Sequence, residues 1–230
     1  MMFRRFVKDW ITVVLVGTGA LVGFAKVGGD VFAHESTSFD GAVQTWMLAH
    51  QLPLLHTIFL WITHLGGIMG MRVLALAGAV YLWYRGHRRV AAGVLVVPVV
   101  ANALFEGMKR VYARPRPLGL GRGVDSSYSF PSGHATVSAA VCGTLAYVLW
   151  REGFIGPRAA LAFATLAPLL VGVSRLYLNV HWATDVLGGW SVGLFIGALS
   201  AALYNHHRRR RASDRGVAPG ETAATLRTTR

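Results

Sequence analysis

Three short segments hold nearly all the residues of this chain that could do chemistry. The first, Lys109-Arg110-Val111-Tyr112-Ala113-Arg114-Pro115-Arg116-Pro117, packs cations around two prolines. The prolines would stop a helix and hold the arginines extended. Alone, such a segment would also serve as an interfacial anchor that snorkels its cations to headgroups. The second segment, Phe130-Pro131-Ser132-Gly133-His134, joins helix-starting residues to a glycine through which a ligand can approach the main chain. The free amides of a helix N-terminus would then face an anion, and phosphate fits. A plain helix cap would not require His134. The third segment runs from Ser174-Arg175 through His181 to Asp185. Histidine and aspartate four apart can meet if a helix has begun by His181; the carboxylate then fixes the tautomer and leaves the other ring nitrogen free to attack. An acid orienting a histidine is the nucleophile arrangement in general form.

These segments need elements to bring them together, and the composition says which solvent surrounds those elements. The 230 residues are 53% hydrophobic and 14% charged, with mean hydropathy +0.46. Soluble domains carry about a quarter charged residues, so the bilayer is the natural solvent. A formal charge of +13 would also suit a nucleic-acid binder. Here, however, the basic residues sit in clusters between apolar stretches, which argues for a membrane and against nucleic acid. The single cysteine, Cys142, lies in an apolar run, so neither a disulfide framework nor a cysteine metal site is expected.

Spans of roughly 20 apolar residues fall at about residues 8–25, 66–84, 90–108, 132–150, 159–177 and 184–204. The expectation is an all-α bundle of six transmembrane helices. The first span lacks a small-residue cleavage site and reads as a retained anchor. Between the first two spans, residues 41–61 have amphipathic spacing and predict a helix lying along the membrane interface. Residues 1–205 form the membrane domain, and the basic, Thr/Ala-rich stretch 206–230 reads as a disordered tail. Most of the 23 basic residues, among them Arg4, Arg5, Lys8, Arg85, Arg88, Arg89, Arg151, Arg158 and the tail arginines, fall on one side of this layout. The positive-inside rule makes that side cytoplasmic, with both termini. Lys109, Arg110, Arg114, Arg116 and Arg122 break the rule by clustering at the opposite face. Each of the three segments ends a different span on that same face.

At this point the sequence resembles the type 2 phosphatidic acid phosphatases. Their signature is Lys, six residues, Arg-Pro; then Pro-Ser-Gly-His; then Ser-Arg, five residues, His, three residues, Asp. All three parts occur here with unbroken spacing, at Lys109 to Pro117, Pro131 to His134 and Ser174 to Asp185. The likeness covers about residues 55–205, while the first span and its loop fit more loosely. It implies a membrane lipid phosphatase in a cell membrane, its site on the extracytoplasmic face. His181 would take the phosphoryl group as a phosphohistidine, Asp185 would hold its ring, and His134 would protonate the leaving oxygen. Lys109, Arg116, Arg175, the Ser132 hydroxyl and the Gly133 amide would bind phosphate oxygens. No metal and no cofactor are implied, and the scattered acids offer no magnesium cluster. The partner is a lipid phosphate in the bilayer: undecaprenyl diphosphate, phosphatidylglycerophosphate or phosphatidic acid.

Other readings share the constellation. A phosphotransferase would hand the same intermediate to an alcohol; vanadium haloperoxidases resemble the site but are soluble; a non-catalytic phospholipid binder would need the cations but not His134, His181 and Asp185. Around the motifs, Glu106 reads as a buried partner for Lys109 or Arg110. Arg110, Arg114 and Arg122 read either as headgroup guides or as loop holders. Tyr177 and Trp182 read as interface anchors, and His50, His56 and His64 as interfacial filler. Oligomeric state leaves no signal in the sequence.

Overall fold

The computed structural model describes residues 2–117 and 128–214, with side chains for 10–117 and 128–210. Arg122 and most of the predicted tail lie outside the described residues. Among the described residues eight helices follow in order: α1 (Met2–Phe32), α2 (Thr37–Ala49), α3 (Pro53–Leu65), α4 (Ile68–Tyr84), α5 (Arg88–Tyr112), α6 (Gly133–Arg151), α7 (Pro157–Tyr177) and α8 (Ala183–Asp214). No strand occurs among the described residues, and the all-α expectation holds.

Each of the six expected spans falls on one helix, and among the described residues four to five crossings pass on length and composition alone. Four helices, α1, α5, α7 and α8, are long and apolar enough to cross a membrane alone. A fifth crossing exists if α3 and α4, bent by 51° at their junction, act as one broken span. At 17 residues α4 by itself is short. The predicted fourth span, α6, falls outside the count, and its surroundings say why. It packs against α4, α5, α7 and α8 and is buried along most of its length, so neighbouring helices rather than lipid receive its side chains. Such a helix can carry Thr136, Ser138 and Thr144. Two of these hydroxyls return to carbonyls of the same segment, Thr136 to Ser132 at 2.9 Å and Ser138 to Ala135 at 3.2 Å. The outer helices show the opposite pattern, with Leu15 and Leu161 about two-thirds exposed at 65% and 66%. The chain is a multi-pass membrane protein.

The single interfacial helix expected over residues 41–61 is instead two helices. Pro53 has no amide hydrogen to give, so the chain breaks ahead of it and Pro53 opens α3. Tyr177 of α7 clamps that break. Its hydroxyl accepts from the Leu52 amide at 2.6 Å and donates to the His50 carbonyl at 3.2 Å, while Gln51 Nε2 donates to the Tyr177 carbonyl at 2.8 Å. Tyr177 is therefore a buried bracket and not a headgroup anchor.

The tightest seam joins α6 to α8. A Cβ on Gly189 would lie 2.7 Å from the Ser132 carbonyl oxygen, and one on Gly193 would lie 2.5 Å from that of Thr136. Helices in lipid gain little from burying apolar surface against one another, so close backbone approach at small residues carries much of their association. At the head of this seam the Ser132 amide donates to the Asp185 carbonyl at 2.9 Å. The starts of α6 and α8 are thus joined through main chain.

Candidate active site

Three helix ends converge where the sequence placed its three segments. Lys109 occupies the last turn of α5, which stops at Ala113 in a left-handed conformation (φ 44°). Arg114 to Pro117 then leave without helical structure. Ser132 caps α6, Arg175 sits in the last turn of α7, and His181 lies in the turn before α8. Lys109, Ser132, Arg175, His181 and Asp185 are all buried.

The His181 ring is held from both sides. Its Nδ1 lies 3.2 Å from Asp185 Oδ2, and its Nε2 lies 3.2 Å from Nη1 of Arg116. A guanidinium can only donate, so Nε2 is the bare nitrogen and the ring proton sits on Nδ1, directed at the carboxylate. Burial pushes the imidazole down to about 4, the Asp185 hydrogen bond works against that shift, and Arg175 and Arg116 reinforce it. The ring is therefore neutral at pH 7. Its pairing with Asp185 does not arise as expected, because α8 begins only at Ala183. Asp185 occupies the third position of the helix and reaches back to the Trp182 amide at 2.8 Å, half of a capping box. The cap, and not a helical turn, aims the carboxylate at His181.

Asp185 is fully buried and engaged at both oxygens. Oδ2 also accepts from Ser129 Oγ, and Oδ1 accepts from Arg114 Nη1 at 2.7 Å. Around the ring, Arg116 Nη1 is fixed by the Val180 carbonyl at 2.8 Å and Arg175 by Thr63 Oγ1 at 2.7 Å. Lys109 Nζ stands 3.8 Å from Glu106 and over the Phe105 ring. Glu106 is thus a partner as expected, but its side chain is 44% exposed and not buried. The Ser132 hydroxyl is buried with no hydrogen-bond partner among the described residues. A buried orphan hydroxyl is costly unless something polar meets it, and here it lies at the N-terminus of α6. Arg175, His181, Arg116 and Lys109 all act electrostatically on the His134 imidazole, which places the second histidine in the same cluster.

Gly133 has a packing rationale beside the one expected. A Cβ there would come within 2.8 Å of the Phe105 ring, so packing of α5 against α6 requires the glycine. Ser129, Thr63 and Asp40 join the cluster without belonging to any of the three segments' motifs, and Arg114, open to two roles in the sequence, is bound to Asp185 and Asp40. Asp40, one of only ten acids, stands just ahead of the stretch expected along the membrane interface, and no spacing in the sequence gives it a partner. Nothing in the sequence marks Ser129 or Thr63. Trp182, read as an anchor, donates to the Pro115 carbonyl at 3.0 Å and lies against Arg114, pinning the first segment to the third. His50 and His64 each bond a carbonyl of their own helix, at 2.7 Å in both cases.

Fold and site together define an α-helical membrane phosphatase. The PAP2 superfamily model matches residues 90–209. Phosphatidylglycerophosphatase B of Bacillus subtilis (strain 168) is 33% identical over 179 residues, covering 75% of this chain and 87% of that protein. An undecaprenyl-diphosphatase of Sulfolobus acidocaldarius is 30% identical over 131 residues, 54% of this chain and 60% of its own. Among solved structures, the transmembrane PAP2 type phosphatidylglycerolphosphate phosphatase from Bacillus subtilis superposes with a TM-score of 0.71 at 29% identity, covering 83% and 96% of the two chains. The chain belongs to the PAP2 superfamily, and it is a lipid phosphatase.

Proposed function

We propose that the protein hydrolyses a lipid phosphomonoester or diphosphate at the extracytoplasmic membrane face, through a phosphohistidine on His181. The observation that carries this reading is the His181 ring, with its proton turned to Asp185 and its bare Nε2 facing Arg116, while Arg175 acts on the same ring. In the first step Nε2 attacks phosphorus and the bond to the lipid oxygen breaks. That oxygen takes the proton that His134 acquires as the anionic phosphate enters beside it. Water then attacks the phosphorus, gives a proton back to His134, and the P–N bond breaks to release phosphate. Charge on the equatorial oxygens is met by Lys109, Arg116, Arg175, the Ser132 hydroxyl and the Gly133 amide, fixed donors of the kind phosphoryl transfer requires. These cations supply the charge a metal would otherwise bring, so the reaction runs without one.

The tail stays in the bilayer while the headgroup phosphate reaches the helix ends. Relatives named for phosphatidylglycerophosphate and undecaprenyl diphosphate support a glycerophospholipid phosphate or an isoprenoid diphosphate as substrate. The outward orientation is supported by the basic residues gathered at the other end of the helices. Phosphate release by the reconstituted protein, with EDTA present and across a panel of these lipids, tests the proposal. Release from at least one lipid, lost in His181→Ala, is the expected result. Turnover in His181→Ala equal to that of the unaltered protein overturns the nucleophile; no release from any of the lipids overturns the substrate class.

A further inference from the structure

Asp40 and Arg114 stand outside the three-part signature, and Asp40 also lies outside the residues that match the family model. Their geometry nevertheless ties them to the reacting histidine. Asp40, on the first turn of α2, is 1% exposed. Its Oδ1 accepts from the Thr184 amide at 2.9 Å, and its Oδ2 accepts from Thr184 Oγ1 at 2.7 Å and from Arg114 Nη2 at 2.6 Å. Arg114 Nη2 also reaches Ser36 Oγ at 3.2 Å, while Nη1 donates to Thr184 Oγ1 at 2.8 Å and Asp185 Oδ1 at 2.7 Å. One planar guanidinium therefore bridges two buried carboxylates, one on α2 and the other the acid behind His181.

We propose that Asp40 and Arg114 are positioning residues for the reaction at His181, a charge pair that locks the Asp185 carboxylate from behind. The inference rests on His181 being the nucleophile. Asp185 can serve the ring only while Oδ2 faces Nδ1; the Trp182 amide and Ser129 hold Oδ2 there, and the Arg114 bond to Oδ1 fixes the carboxylate from the other side. A guanidinium this close to a phosphate site would be drawn towards the phosphate and abandon Asp185. Asp40 holds it back, since Arg114 is engaged by carboxylates at both terminal nitrogens and a phosphate would have to displace one of them. Arg114 thus has a different task from Arg116 two residues later, and α2 completes the site although it carries none of the signature. Groups that orient a first-line residue typically change activity by about tenfold to a hundredfold when removed.

The test uses the full-length protein in proteoliposomes, with a radiolabelled lipid phosphate as substrate and inorganic phosphate, a competitive product, as a probe of the phosphate-binding cations. Asp40→Asn and Arg114→Gln are each expected to lower kcat and the rate of phosphoenzyme formation by about tenfold to a hundredfold, with inhibition by inorganic phosphate within about threefold of the unaltered protein. The double variant should lose no more than the worse single one, because both act through one bond. Unchanged phosphoenzyme formation in either variant overturns the proposal. So does a parallel loss of inorganic phosphate binding in folded protein, which would make Arg114 a phosphate ligand. If these variants do not fold, Thr184→Val removes only the hydroxyl that bridges the pair; a drop in kcat with KM unchanged is then expected, and unchanged kcat overturns the proposal. Absence of any His181-linked phosphoenzyme in the unaltered protein defeats the nucleophile reading itself, a result separate from the behaviour of the variants.

Discussion

The two ends of the helix bundle are built from the same residue types and behave differently. At the end away from His181, Arg85 lies against Phe154, Arg88 against Trp83 and Arg151 against Trp150. Glu152 there accepts from Tyr204 Oη at 2.7 Å and approaches His87 at 3.4 Å, and Arg208 Nη1 donates to the same tyrosine at 3.1 Å. Cations, aromatics, a histidine and an acid are all present. Yet His87 and Glu152 remain partly open, with side chains 28% and 11% exposed, whereas His181 and Asp185 are 2% and 0% exposed. Residue type alone does not make a site. Burial makes each unmatched donor costly, and bonds between distant segments give those donors a fixed aim.

The sharpest way to break the comparison is to remove one histidine. His181→Ala should lower phosphate release by at least about a thousandfold, as expected when a nucleophile is lost. Arg116→Lys keeps the charge but loses the fork that spans His181 and the Val180 carbonyl. It should lower kcat/KM by about tenfold to a hundredfold, read in steady-state assays on one lipid. Acid should act next. Since His181 lies at about 4 and not at its ordinary 6.5, the neutral nucleophile persists until the pH falls through about 4. Activity should then decline about tenfold per further pH unit. An acid limb of kcat/KM centred near 6.5, measured with the ionisation of the substrate mapped separately, would sink this assignment. The same shift makes the unfolded chain take up a proton at His181 between pH 6.5 and about 4 that the folded chain refuses, so folding stability is lost as the pH falls through that window. The smallest effect belongs to the other end. Tyr204→Phe removes the hydroxyl between Glu152 and Arg208 and should cost about 1–2 kcal/mol of stability, seen as a lower Tm, with turnover within about twofold.

Much of this was legible in the sequence because it was written locally. Apolar length located each of the long helices, and the spacing of Lys109 to Pro117, Pro131 to His134 and Ser174 to Asp185 located the site. What remained hidden depends on three-dimensional neighbours. The place of α6 inside the bundle follows from what surrounds it, which hydropathy does not report. The break at Pro53 was visible in principle, but amphipathic spacing on both sides outweighed it. Asp40 and Thr63 lie far from their partners in the chain, Arg114 and Arg175, and no periodicity connects them. Gly133 was visible as a glycine, but the Phe105 ring that requires it was not.

The bond from the Ser132 amide to the Asp185 carbonyl, with the glycine seam below it, bears on how such a protein can change. Main chain sets the separation between the start of α6, with His134, and the start of α8, with the acid behind His181. Side chains on the lipid-facing surface of α8 and of the outer helices can therefore vary without stretching it. A protein built this way can be refitted to a different lipid tail by altering its outer surface, while the chemistry at the helix ends keeps its gauge.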